Sequence, residues 1–249
     1  MITNPLRFIA SADVGDVTET LGLEGTDPNL DLDKLPAAVV SGTTLIDFSA
    51  TPSLAVRAGV SEAMLFASRV ATKAVKPGDD ADDWLANYTS NLSNLGFAIS
   101  GGAVVNSSFK KKGIYVHQAI IPFLTVAFGG AAIGPIILAG LKNLQEMDKD
   151  APWITLFDHQ SRRFDATEMH FAAVSSTDTE TTIKYAIARL HVATNSTTVL
   201  FFKLTNAEAN FQSSTTLMTA NNSLLAVMEG DLRIRLADLA KRFIAGADL

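Results

Sequence analysis

Residues Thr181–Thr194 read TTIKYAIARLHVAT. With a side-chain period of two, Ile183, Tyr185 and Ile187 fall on one face of a strand, and Ala186, Ala188, Leu190 and Val192 fall on the other. A strand with one wetted face alternates apolar with polar residues; this one is apolar on both. It therefore belongs to the interior of a sheet that is covered on both sides. The run is long enough to cross a bilayer as a barrel strand, but a pore strand would turn a polar face to the channel, and this one has none.

Outward from this strand, Trp153–His159, Met169–Val174, Thr198–Thr205 and Ala209–Met218 carry the same strand signals, with Asn195-Ser196 as a tight turn. Thr43–Phe48 is expected as the first strand and Ala103–Val105 as a short extended piece. The first half of the chain is helical. One helix starts near Pro52, with Ser49 or Thr51 as cap, and carries Val56, Val60, Ala63, Met64, Ala67 and Val70 on its inner face until Lys76-Pro77-Gly78 stops it. A second opens on Asp79, Asp80, Asp82 and Asp83, where carboxylates meet the positive end of the helix dipole, and continues through Trp84, Tyr88 and Leu92 to Gly101-Gly102. A last helix starts at Asn222 or Ser223, buries Leu225, Met228, Leu232, Leu236, Leu239 and Phe243, and ends at Gly246.

The segment AIIPFLTVAFGGAAIGPIILAGL, Ala119–Leu141, has no charged residue and is long enough to span a membrane. Its punctuation says otherwise. Pro122 removes a backbone donor, Gly129-Gly130 signals a turn, and Gly134-Pro135 signals a second break. These predict two shorter helices, over about 115–128 and 133–147, folded back on each other. Helices first and antiparallel strands second give an α+β class. The expected architecture is a single-domain three-layer α/β/α sandwich, with an antiparallel sheet covered by helical hairpins on both faces. Residues 1–42, acidic and broken by prolines and glycines, are expected as an irregular N-terminal arm before a domain at 43–249.

The 249 residues carry a net charge of −6, and Lys110-Lys111-Lys112 is the one basic run, so nucleic acid is not an expected partner. With no cysteine there is no disulfide, thiol nucleophile or cysteine metal site. The first residues lack a basic region followed by an apolar core, so no classical signal peptide is expected; the chain is expected to be made soluble, and if it acts outside the cell that makes it, it leaves by another route. His117, His159, His170 and His191 show no metal-ligand spacing, and no metal or cofactor is expected. His159 and His170 with Asp158, Asp165 and Glu168 form one conceivable polar site, against the commoner reading of solvated carboxylates. No phosphate-binding glycine loop and no G-x-S-x-G nucleophile elbow is present, so no enzyme is proposed.

Several short patterns, in this order, carry a family resemblance: Glu62–Ala67 with Ala74–Pro77, Trp84–Val105 ending in Gly101-Gly102-Ala103-Val104-Val105, Phe123–Leu144, Lys149–Ile154, and Val199–Leu204. Over roughly residues 45–220 the chain resembles the cytolytic Cyt δ-endotoxins, with volvatoxin-type fungal cytolysins and the Erwinia virulence factor as relatives of that fold. It departs from them in the proline and glycine breaks of 119–141 and in the acidic arm. The absence of cysteine also rules out the acylated cysteine of the Erwinia-type branch. The resemblance implies a membrane-active cytolysin or virulence factor that binds phospholipid directly, rearranges its helical layers, self-associates on the membrane and permeabilises it. The alternative is a non-lytic factor holding a fatty acid or lipid in an apolar cavity. The resemblance also implies trimming of the termini, for which the arm is a suitable place.

The expected lipid-contact residues are Lys110, Lys111, Lys112, Ile120, Phe123, Phe128, Ile133, Ile136, Ile137, Tyr185, Phe201 and Phe202, with Gly129 and Gly130 as the hinge. The lysines read first as a solvated loop; next to an anionic surface each would add about 1 kcal/mol of headgroup attraction. The hairpin reads as a buried cover in the soluble state, and the resemblance adds its release toward lipid.

Overall fold

A computed structural model describes residues 4–15, 30–50, 53–75, 81–101, 104–109, 113–130, 134–162, 167–190, 199–204, 209–247 and 249. Among them, eight strands form one sheet. They are β1 (Ala38–Ser41), β2 (Thr44–Ala50), β3 (Ala98–Ser100), β4 (Val104–Phe109), β5 (Thr167–Ser176), β6 (Glu180–Leu190), β7 (Ala209–Asn221) and β8 (Ile244–Gly246). The order is β3-β7-β6-β5-β2-β1-β8, with β4 also on β7. The expected antiparallel sheet is mixed at one seam, because β2 runs parallel to β5 while β5, β6 and β7 are antiparallel. A parallel pair needs a long crossover, and the chain between β2 and β5 supplies it with helices and the edge strands β3 and β4.

Helices cover both faces, as the two-sided apolar strand required. The helices are α1 (Pro5–Ser11), α2 (Leu54–Ala74), α3 (Ala81–Asn94), α4 (Val116–Ala127), α5 (Pro135–Asn143), α6 (Pro152–Ser161) and α7 (Asn222–Phe243). On one face Trp84 and Tyr88 of α3 meet His170 and Tyr185 of the sheet, with ring centroids 5.4 and 5.7 Å apart. There α2 packs beside α3, and α7 packs on α2 with Leu225 against Gly59. On the other face Phe157 of α6 meets Phe171 of β5, while α4 and α5 lie over β6 and β2. The centre of β6, from Tyr185 to Ala188, is buried on both sides.

Some expectations need correcting. Trp153–His159 is helical, not extended. Pro152 occupies its first turn, and Trp153, Ile154, Leu156, Phe157 and Ser161 are buried, the spacing of one helical face. Val199–Leu204 is a turn, with one bridge between Lys203 and Tyr115. Its donors are used irregularly: the Val199 N–H goes to the Asp158 carboxylate and the Phe202 N–H goes back to Val199. The segment expected as an irregular arm contains a helix and a strand. Asn4 caps α1, Ile9 is buried, and Phe8 meets Phe66 edge-on at 5.7 Å. β1 lies inside the sheet between β2 and β8, so Thr44–Ala50 is the second strand. The cap of α2 is Ser53, whose hydroxyl accepts from Val56 N–H. Residues 191–198, with the expected Asn195-Ser196 turn and His191, lie outside the described residues.

Candidate lipid-contact site

α4 and α5 form the expected hairpin. Tyr115 precedes α4, and its N–H donates to the Gln118 side chain at 3.3 Å. Pro122 sits on the exposed side, where its missing donor costs least, and Thr125 returns a hydrogen bond to the Ile121 carbonyl at 2.9 Å. Val116, Ala119, Ile120, Leu124 and Phe128 are buried against the sheet. The glycines after α4 have φ of 80° at Gly129 and 128° at Gly130, and Gly134 before α5 has φ of 73°. These left-handed conformations favour glycine. A Cβ at Gly134 would also lie 2.7 Å from the Phe128 ring.

Among the described residues, the polar groups that fasten the two helices at the turn come from the sheet. Lys184 of β6 donates its ammonium to the Phe128 carbonyl at 2.7 Å, at the negative end of α4. Asp47 of β2 accepts from the N–H groups of Ile136 and Ile137 at 2.8 and 3.0 Å, at the positive end of α5. Register places both in one row: Asp47 lies opposite Ala173, and Ala173 lies opposite Lys184. Two strand spacings separate them, roughly 10 Å. Ala173 between them leaves room for Gly134 above, whose absent Cβ would lie 3.5 Å from it. A cation, a small residue and an anion thus match the carbonyl end, the turn and the amide end of the hairpin.

The opposite end of the hairpin is joined by His117. It is fully buried in the first turn of α4, with Nδ1 2.6 Å from the Leu141 carbonyl in the last turn of α5. Its Nε2 is buried without a hydrogen-bond partner. Burial holds its pKa below the ordinary 6.5, and the hydrogen bond to Leu141 opposes that.

The outer surface of the hairpin has no charge until Lys142 in the last turn of α5. Between Gly113 and Leu141 there is no Asp, Glu, Lys or Arg. Pro122, Val126, Pro135 and Ala139 are exposed, Val126 at 80%, and Ile121, Phe123 and Ile136 are half-buried beside them. Among the described residues no helix is long and apolar enough to cross a membrane.

The expected contact residues divide accordingly. Phe123 and Ile136 reach the outer side; Ile120, Phe128 and Ile137 are core residues. Phe201 is buried, with the Lys149 ammonium 5.2 Å from its ring centre, and Phe202 is half-buried. Lys110–Lys112 and Ile133 lie outside the described residues. Tyr185 is buried on the opposite face, so it belongs to a different arrangement.

That arrangement is a buried polar chain. Arg189 bridges Asp82 at 2.7 Å and Glu168 at 2.5 Å, Glu168 reaches His170 Nε2 at 3.3 Å, and His170 Nδ1 is 2.6 Å from the Tyr185 hydroxyl. Burial pushes Glu168 up, and His170 and Arg189 outweigh it, leaving the carboxyl below its ordinary range. Of the conceivable polar site, Glu168 and His170 meet, whereas Asp158 pairs with Arg162 and the Val199 amide; Asp165 lies outside the described residues. The chain ties α3 to the sheet.

No protein-family model and no curated protein matches this chain. It is similar to a solved structure described as "DELTA-ENDOTOXIN", with 13% sequence identity and a TM-score of 0.38, over 81% of this chain and 86% of that one. Likeness at that level carries no residue roles from one chain to the other.

Proposed function

We propose that the protein is a membrane-active cytolysin or virulence factor that meets phospholipid with the outer face of α4 and α5. The observation that supports this reading is an exposed helical surface without charge from Val116 to Leu141, clasped to the sheet near its turn by Asp47 and Lys184. A water-facing helix normally carries charges on its outer side. Here Pro122, Val126 and Ala139 stand there instead, with Phe123 and Ile136 just beneath. Such a layer can bury its apolar surface in a bilayer interface without desolvating an ion. Self-association on the membrane and leakage would follow release of the layer from the sheet.

Dye release from vesicles of phosphatidylcholine with phosphatidylglycerol tests the reading. The wild-type chain should release dye; Val126→Asp should fold normally, because the site is open, and release at least tenfold less. Intact vesicles with wild-type protein, before and after limited proteolysis of the N-terminal segment, would sink the proposal.

A further inference from the structure

We propose that acid unfastens the α4–α5 hairpin by protonating His117. The inference builds on the lipid-contact reading and adds the condition under which that layer comes away.

The geometry gives His117 a place for one proton only. Nδ1–H donates to the Leu141 carbonyl, joining the two helices at the end opposite the Asp47 and Lys184 clasps. Nε2 faces the interior with no acceptor. A second proton would create a buried N–H without a partner on a cation without a counter-ion.

Among the described residues, the surrounding groups do not supply one. On its own element, α4 contributes no charged residue, and Tyr115 stacks on the imidazole at 5.6 Å. From the 199–204 turn comes the Phe201 ring, 6.3 Å away. The charges next to these two rings are both positive: Lys203 near Tyr115 at 5.9 Å and Lys149 near Phe201 at 5.2 Å. Lys142 follows Leu141 on α5. Asp158, which reaches the same turn, is already held by Arg162 and the Val199 amide, and Glu146, Asp148 and Asp150 are exposed. The helix ends divide: the last turn of α5 favours a cation, while the first turn of α4 opposes one. Burial decides, and the neutral ring is the form this fold accepts.

The sign follows. A base whose neutral form the fold prefers stabilises the attachment above its ordinary pKa of 6.5, and that stabilisation is lost as pH falls below it. Because His117 bonds one helix of the hairpin to the other, the loss falls on α4 and α5 first.

Hydrogen exchange of the full chain at pH 7.5 and 5.5, corrected for intrinsic rates, reads this directly. Peptides from 113–147 should lose about tenfold more protection on acidification than peptides from 209–243. His117→Gln, which keeps a donor for Leu141 and cannot take a second proton, should remove the difference. Equal acid sensitivity in wild type and H117Q overturns the proposal. If that variant does not fold, the wild-type imidazole is titrated by NMR: ionisation below 6.5, coincident with changes in α4 signals, supports the release, and ionisation at or above 6.5 overturns it. Flotation with the same phosphatidylglycerol vesicles separates the two readings. Acid-selective loss of protection without vesicle binding keeps the switch and removes the lipid-contact role.

Discussion

The two faces of the sheet are covered by helices that are held in opposite ways. The layer of α2, α3 and α7 brings its own charges. Arg233 of α7 reaches Glu62 of α2 at 3.2 Å, Glu229 at 2.7 Å and Asp33 at 2.5 Å, and Asp82 of α3 binds Arg189 on the sheet. The hairpin of α4 and α5 has no charge from Val116 to Leu141, carries Lys142 at its far end, and is clasped at its turn by Asp47 and Lys184 from below. Of the pairs in the first layer, Asp82–Arg189 joins it to the sheet, and breaking that pair would strip Arg189 of one of its counter-charges. The Arg233 pairs hold α7, α2 and Asp33 to one another within the cover. The clasps under the hairpin engage only its backbone groups. The two layers therefore differ in fastening: one reaches the sheet through a side-chain ion pair, the other through its backbone.

The comparison can be broken most forcefully at Glu168. Glu168→Ala removes the buried carboxylate that binds Arg189 and His170 Nε2 and should cost about 3–5 kcal/mol, as breaking a buried pair does. Urea unfolding followed by fluorescence should show it as one cooperative loss across the molecule. A loss confined to one helix would mean that the chain of charges does not tie α3 to the sheet.

Glu62 comes next, and its sign is opposite to that of His117. Burial pushes the Glu62 carboxyl up to about 7, with Arg233 opposing. The folded state thus holds this proton more tightly than the unfolded chain, so its contribution is complete below the ordinary 4.5 and fades as pH rises toward 7. A shift of that size is worth up to about 3 kcal/mol. Glu62→Gln should flatten the stability curve between pH 5 and 8; an unchanged slope would assign that pH dependence elsewhere. One face then loosens toward alkali and the other toward acid.

Asp47→Ala is a local counterpart. It leaves two N–H groups of α5 without acceptors and should cost about 2–3 kcal/mol. Exchange protection should fall over 135–143 well before 209–221, and an equal fall in both would show that the hairpin is not independently fastened. Lys184→Met should do the same at the end of α4 with about 1 kcal/mol, measured by the same protection of 124–130.

Much of this was legible in the residues. The two-sided apolar run around Tyr185–Ala188 required a covered sheet, and Gly129, Gly130 and Gly134 divided an apparent membrane span into a hairpin because their backbone angles exclude continuous helix. What was not legible depends on partners far away in sequence. Ala38–Ser41 is four residues long, and its strand character comes from β2 and from β8 near the other end of the chain. Trp153–His159 is rich in aromatic and β-branched side chains, which suggested a strand, yet tertiary packing and Pro152 make it helical. The clasps were least visible. Asp47 and Lys184 are polar residues within apolar strands, and only the register across Ala173 puts them under the two ends of one turn.

The same clasps impose an order of assembly. The Asp47 carboxylate meets amides 89 and 90 residues further along, and Lys184 bonds a carbonyl 56 residues back. Their shared row exists only after β2 has found β5, a parallel pairing across a long connection, and after β5 has paired with β6. Contacts of such sequence separation form late because loop closure must come first. Residues 116–143 precede β5 and β6 in the chain, so the hairpin segment is synthesised before two of the three strands that form its seat.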